Sequence, residues 1–143
     1  LYPNNIRAII GFDIELAHQI EAGADMFLMP SRYEPCGLNQ MYSMNYGTLP
    51  IVHAVGGLKD TVTNLDENCS NFHTATGFCF YEATRDKLLA TTTKAIDLYK
   101  RDKKLFKQMI KTAMNSEFCW NSSAKQYQKL YQDLLKSPRP IRN

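Results

Sequence analysis

The chain has 143 residues, 44% of them hydrophobic and 22% charged, with a formal net charge of +3. That suits one compact domain, long enough to bury roughly two-thirds of the surface its unfolded chain exposes. The mild charge and the lack of aromatic residues interleaved with basic ones argue against a nucleic-acid partner, and no apolar run is long enough to span a membrane.

In chain order, residues 6–10 are apolar and stop at Gly11, which predicts a strand and a turn. Asp13 is a suitable N-cap for a helix over 14–22, with Gly23 as its stop and Leu16, Ala17 and Ile20 as its buried stripe. Met26 to Met29 is a continuous apolar run ended by Pro30, as in a parallel strand covered on both faces. A polar loop over 31–36 leads into a second helix over 38–46, closed by Gly47. Ile51 and Val52 form another buried strand, and Gly56-Gly57 breaks the chain before a short segment over 58–62. Residues 63–75 are polar and patternless, which predicts a surface loop, and 78–81 form the last strand.

From Thr84 the pattern turns helical. Leu88, Leu89, Thr92, Ala95, Ile96 and Tyr99 recur at helical spacing, as do Leu105, Phe106, Met109 and Ile110; a third stretch covers 122–135. Lys100, Arg101, Lys103, Lys104, Lys107 and Lys111 read as a solvated helix face. Alternating strands and helices followed by terminal helices predict an α/β sandwich on a Rossmann-like parallel sheet. One domain is expected over 1–136, with a disordered tail over 137–143 that holds Pro138 and Pro140.

Ligands of such folds bind at the carboxyl ends of the strands. Three loops are expected there, at 11–13, 31–37 and 54–57. The middle one is the most informative. Glu34-Pro35-Cys36-Gly37-Leu38 runs straight into a helix, whose unpaired N–H groups and dipole suit a phosphate. Gly37 lets that phosphate reach the backbone. Glu34 would repel an anion, so it makes better sense as an acceptor for the hydroxyls of a sugar attached to the phosphate. The bland alternative is that Glu34 caps its helix and Gly37 merely turns the chain. Phe12 is either a core residue or a stacking platform for a nucleobase. His18 reads as structural, His53 as strand packing and Trp120 as a packing anchor. Cys36, Cys69, Cys79 and Cys119 form no CxxC pair and the three histidines are scattered, which argues against a metal site and for free thiols of a reducing compartment.

Longer stretches carry a family resemblance: Ala22-Gly23-Ala24-Asp25, then residues 30–40 from Pro30-Ser31-Arg32-Tyr33 through Glu34-Pro35-Cys36-Gly37-Leu38-Asn39-Gln40, then Tyr46-Gly47-Thr48-Leu49-Pro50, then residues 52–62 from Val52-His53-Ala54 through Gly56-Gly57-Leu58-Lys59-Asp60-Thr61-Val62. Together with Trp120, Ser123, Ala124, Tyr127, Leu130 and Tyr131, they make the chain resemble the bacterial and plant starch (glycogen) synthases, in wording most like the soluble starch synthases. The resemblance runs from about residue 11 to 135 and is looser over 63–118. It implies the C-terminal domain of a GT-B glycosyltransferase, incomplete at its N-terminus, in which two Rossmann-like domains face each other across a cleft. The implied reaction moves glucose from ADP-glucose or UDP-glucose to the non-reducing end of an α-1,4-glucan, with retention and without a metal or other cofactor.

By position, the resemblance implies that Glu34 is the catalytic-site residue binding donor-glucose hydroxyls. It implies that Phe12 stacks on the nucleobase and that Cys36, Gly37, Leu38 and Asn39 line the diphosphate and sugar. Tyr42 stands where many related glycosyltransferases place a ribose-binding Glu. Ala54-Val55-Gly56-Gly57-Leu58 echoes the family's Lys-x-Gly-Gly-Leu motif without its Lys. The chain opens on Leu1 rather than Met, so an upstream segment is expected. The implied partners are the donor, the glucan and a first GT-B domain bearing the catalytic Asp, with no nucleic acid and no membrane; the family's Arg and Lys that neutralise the diphosphate are expected just upstream of Leu1. The implied compartment is the bacterial cytoplasm or the plastid stroma. The alternatives are a non-catalytic module of the same fold and another GT-B glycosyltransferase.

Overall fold

The computed structural model describes residues 2–136. The disordered tail expected over 137–143 lies outside the described residues. Helices and strands alternate as α1 (Ile14–Gly23), β1 (Met26–Met29), α2 (Asn39–Tyr46), β2 (Leu49–His53), α3 (Gly56–Thr61), β3 (Phe78–Phe80), α4 (Arg85–Arg101), α5 (Lys103–Met114) and α6 (Trp120–Lys136). The strands form one parallel sheet in the order β1-β2-β3, with Leu28 opposite Ile51 and Ile51 opposite Phe78. This is the expected α/β architecture with a parallel sheet.

All five residues of β2 are buried, so both faces of the central strand are covered, and α2, α3, α4 and α5 all pack against it. Met44, Leu49, Val52, Leu58, Leu65, Phe78 and Met109 make the fully buried core. Local signals set the helix starts: Asp13, Thr84 and Asp102 each accept a backbone N–H of the first turn. α2 ends at Gly47, as expected. The six basic residues from Lys100 to Lys111 are all exposed.

Several expectations are corrected. Residues 6–10 form no strand, and Ile6, Ile9 and Ile10 are exposed. Extended backbone becomes a strand only by pairing, and among the described residues β1 pairs with β2 alone. The stripe expected on α1 is not buried: Leu16 is half-buried, Ala17 and Ile20 exposed. α1 meets the body through its other face. The His18 ring packs against Tyr42 and Tyr46, and Thr48 donates to the Glu21 carbonyl at 2.5 Å. The helix also runs through Gly23 rather than stopping before it. In β1, Leu28 is exposed, so one face of this edge strand is open.

Gly56 and Gly57 do not break the chain but open α3. The 63–75 loop is less patternless than its composition, with Leu65 and Ala75 buried and Asn71 bonded to Asp66 and Asn64. α6 forms as its periodicity predicts, yet no residue on it is buried. Trp120 is 77% exposed and anchors no packing among the described residues, because no other element lies against the helix closely enough to cover it.

Glu21 is only 5% exposed, and its Oε2 has no partner among the described residues. Burial pushes its pKa above the usual 4.5, partly offset by His18. Below pH 4.5 the carboxyl is protonated whether folded or not. As pH rises the unfolded chain ionises first, so stability is lost toward the raised folded value. Glu21→Gln is therefore expected to be more stable than the wild type at pH 7, with the advantage shrinking toward pH 4. Urea unfolding of both chains at the two pH values checks this; equal stability at pH 7 would contradict it.

Candidate functional site

Because the strands are parallel and in register, Met29, His53 and Phe80 end on one edge of the sheet. The loops after β1 and β2 therefore open side by side there. The third loop expected on this edge, at 11–13, follows no strand.

The first two loops are pressed together through the glycine pair. Gly57 donates its N–H to the Glu34 carbonyl at 3.2 Å. A Cβ on Gly56 would fall 1.9 Å from the Glu34 carbonyl oxygen, and one on Gly57 1.9 Å from that of Cys36. Both glycines thus serve close approach of two backbones, and Gly56 also takes a φ of +47°, which favours glycine. At the loop's start, the buried His53 ring stacks on Phe80 and places Nδ1 2.7 Å from the Ser31 carbonyl. That fits the packing role expected of His53, with the added task of tying down the loop.

The loop delivers the chain into α2 with no side chain capping it. Leu38 is the N-cap residue, and no side-chain hydrogen bond closes the helix start. Among the described residues, the backbone N–H groups of Gly37, Leu38, Asn39 and Gln40 find no acceptor. Leu38 and Asn39 are exposed and Gly37 half-buried, so these three donors face an accessible surface with the positive end of the helix dipole behind them, whereas Gln40 is fully buried. Glu34 is half-buried three residues ahead of Gly37, and its carboxylate joins no hydrogen bond or ion pair among the described residues. It neither caps α2 nor meets a cation, which removes the bland reading of it.

Tyr42, one turn into α2, is partly exposed, with its ring 5.9 Å from that of His18. Leu38 and Tyr42 line a cleft of about 470 Å³ together with Met41, Asn45, Phe118 and Cys119. Cys36 carries an exposed free thiol, and Cys79, buried within β3, a thiol whose pKa is pushed up to about 11 by burial. Phe12 is 93% exposed, which rules out its core reading, but it joins no aromatic pair among the described residues. The structure therefore brings Glu34, Cys36, Gly37, Leu38, Asn39 and Tyr42 together on one loop and helix start. It does not join Phe12 to them.

Sequence reasoning about chemistry passed over two residues. Gln40 is fully buried beneath the loop, and its Nε2 lies 3.3 Å from the Cys36 carbonyl, 3.0 Å from that of Gly37 and 3.1 Å from Thr61 Oγ1. Thr61 in turn donates to the Gly57 carbonyl at 2.6 Å. Both stand in the stretches that carry the resemblance, but neither residue type nor spacing marks them as part of a site.

Residues 7–116 match the family model of glycosyl transferases group 1. The chain is 46% identical over 98% of its length to a glycogen synthase of Koribacter versatilis and 52% identical over 91% of its length to one of Thermosipho melanesiensis, covering 28% and 26% of those proteins. Among solved structures it is similar to the catalytic domain of starch synthase IV from Arabidopsis thaliana bound to ADP and acarbose, with a TM-score of 0.81 and 35% identity over 92% of this chain and 27% of that one. The chain thus spans little more than a quarter of the length of these relatives.

Proposed function

Because the chain belongs to the group 1 glycosyl transferases, we propose that it is the nucleotide-sugar-binding half of a retaining glucosyltransferase of the glycogen and starch synthase type. The observation that carries the reading is the row of accessible N–H groups from Gly37 to Asn39, unpaired among the described residues, opening beside the Glu34 carboxylate, which has no partner among them either. A diphosphate fits the first and sugar hydroxyls fit the second. The arrangement of one nucleotide-sugar is thus met by one loop.

In this reading the donor is ADP-glucose or UDP-glucose. Its diphosphate lies across the Gly37–Asn39 backbone, its glucose hydroxyls donate to Glu34, and its base stacks on Phe12. Tyr42 sits one helical turn further on, within reach of the ribose. The acceptor is the non-reducing end of an α-1,4-glucan, presented by a facing domain. Developing charge on the departing diphosphate is stabilised here by backbone dipoles and the helix N-terminus, and by cations that this loop does not contain. No metal or organic cofactor is required. The compartment in this reading is the bacterial cytoplasm or a plastid stroma, and no described helix is long and apolar enough to cross a membrane.

The test is a titration of the chain with ADP-glucose and, separately, UDP-glucose, followed by backbone amide NMR. Displacements are expected at Phe12 and at Gly37 to Asn39, stronger for one nucleotide. The absence of displacement at Gly37 to Asn39 with both ligands would overturn the reading. Because a facing domain and cations outside this loop carry the rest of the chemistry, this chain alone is expected not to elongate glucan; measurable incorporation of labelled glucose would refute that division of labour.

A further inference from the structure

We propose that Gln40 is the positioning residue that aims the loop's amides at the donor. The inference rests on the reading of Gly37–Asn39 as a diphosphate site. In a trans peptide the C=O and N–H point in opposite directions, and the described chain has no cis peptide. The Gln40 side-chain amide holds the Cys36 and Gly37 carbonyls inward, at 3.3 and 3.0 Å. The same two peptide planes carry the Gly37 and Leu38 N–H groups, which are thereby turned outward. One buried side chain thus sets the direction of two adjacent donors.

The holder is itself held. Gln40 Nε2 also lies 3.1 Å from Thr61 Oγ1, so its two hydrogens are shared among three acceptors, and Thr61 donates to the Gly57 carbonyl; the amide is thus tied to α3 as well as to the loop. Gly57 and Gly56 press on the Cys36 and Glu34 carbonyls from the same helix. The arrangement leaves Gln40 Oε1 buried with no partner among the described residues. A buried unpaired acceptor is costly in a structure that pairs most polar groups, and such costs gather at functional sites. Oε1 also lies where a Cβ on Gly37 would come within 2.6 Å, and Gly37 has a φ of +73°, so glycine is the residue that fits there. Preorganised donors are what an anion site needs, because they cost no reorganisation when charge develops.

The test uses the 143-residue chain with ADP, UDP and the nucleosides adenosine and uridine as probes. Gln40→Met keeps the shape and removes the donor. It is expected to raise the Kd of the better-bound diphosphate about tenfold, the loss of roughly one well-aimed charge-assisted hydrogen bond. The matching nucleoside should bind as before, and the Gly37 and Leu38 amide displacements should disappear. Unchanged diphosphate affinity, or an equal loss for diphosphate and nucleoside, would overturn the inference, the latter because it marks general loosening. Should Gln40→Met not fold, Thr61→Val removes only the tether. It is expected to raise the diphosphate Kd about threefold, with Thr61→Ser restoring it, and an unchanged Kd would overturn the inference. A wild-type chain that shows no displacement with either diphosphate would overturn the donor-site reading and this inference together, whereas wild-type binding retained in Gln40→Met overturns the inference alone.

Discussion

Alanine at Gly57 is expected to lower the melting temperature by about 10 °C and to abolish donor binding at the loop. The added Cβ would lie 1.9 Å from the Cys36 carbonyl oxygen and 2.6 Å from its carbon. Those are backbone atoms, so no rotamer change relieves the clash; either the loop or α3 must move. Overpacking of this kind costs about 3 kcal/mol. Movement of the loop would also break the Gly57 to Glu34 hydrogen bond and disturb the carbonyls that Gln40 holds. Gly56→Ala meets the Glu34 carbonyl at the same distance and adds a left-handed φ, so it should be at least as damaging. Gly23→Ala is the control. Its Cβ meets nothing within 4 Å, and alanine in a helix is favoured over glycine. Thermal unfolding of the three variants decides the matter. A Gly57→Ala chain that melts with the wild type would mean that the loop and α3 are not in the contact described.

The second large effect is expected at Glu34. Its half-buried carboxylate has no partner among the described residues and stands beside a row of donors suited to an anion. Hydrogen bonds from hydroxyls to a charged acceptor are worth about 1.5–3 kcal/mol each. Glu34→Ala should therefore weaken ADP-glucose or UDP-glucose binding about 100-fold if two hydroxyls are lost. ADP or UDP, which lack the sugar, should bind equally well or slightly tighter, since removing the carboxylate also removes a like charge near the diphosphate. The opposite signs are the useful part. Equal weakening of sugar-bearing and sugar-free nucleotides would assign Glu34 to holding the loop, not to the sugar.

Much of this molecule was legible locally. Asp13 as an N-cap, Gly47 as a helix stop, the apolar run from Met26 to Met29 and the periodicity of α4, α5 and α6 all act within a few residues of themselves, and all appear in the structure. The shape of the proposed donor loop was legible for the same reason: a glycine and a proline leading into a helix leave backbone N–H groups free by local geometry alone. What failed were inferences about cover. Residues 6–10, apolar apart from Arg7, and the apolar Ile20 and Trp120 were each expected to pair or pack, yet all are exposed among the described residues. Apolar periodicity reports which face wants burial; it carries no information about which element arrives to bury it.

The sequence by itself therefore determined the α/β class, most element types, the family and the loop proposed to take the donor. Only the tertiary structure decided why Gly56 and Gly57 are glycines, that Glu34 is left without a partner, and that Gln40 reaches back to the loop while Thr61 anchors it from α3. Local patterns are set by neighbours along the chain, whereas a close backbone approach or a buried amide is set by atoms some twenty residues away, brought near by the parallel pairing of β1 with β2.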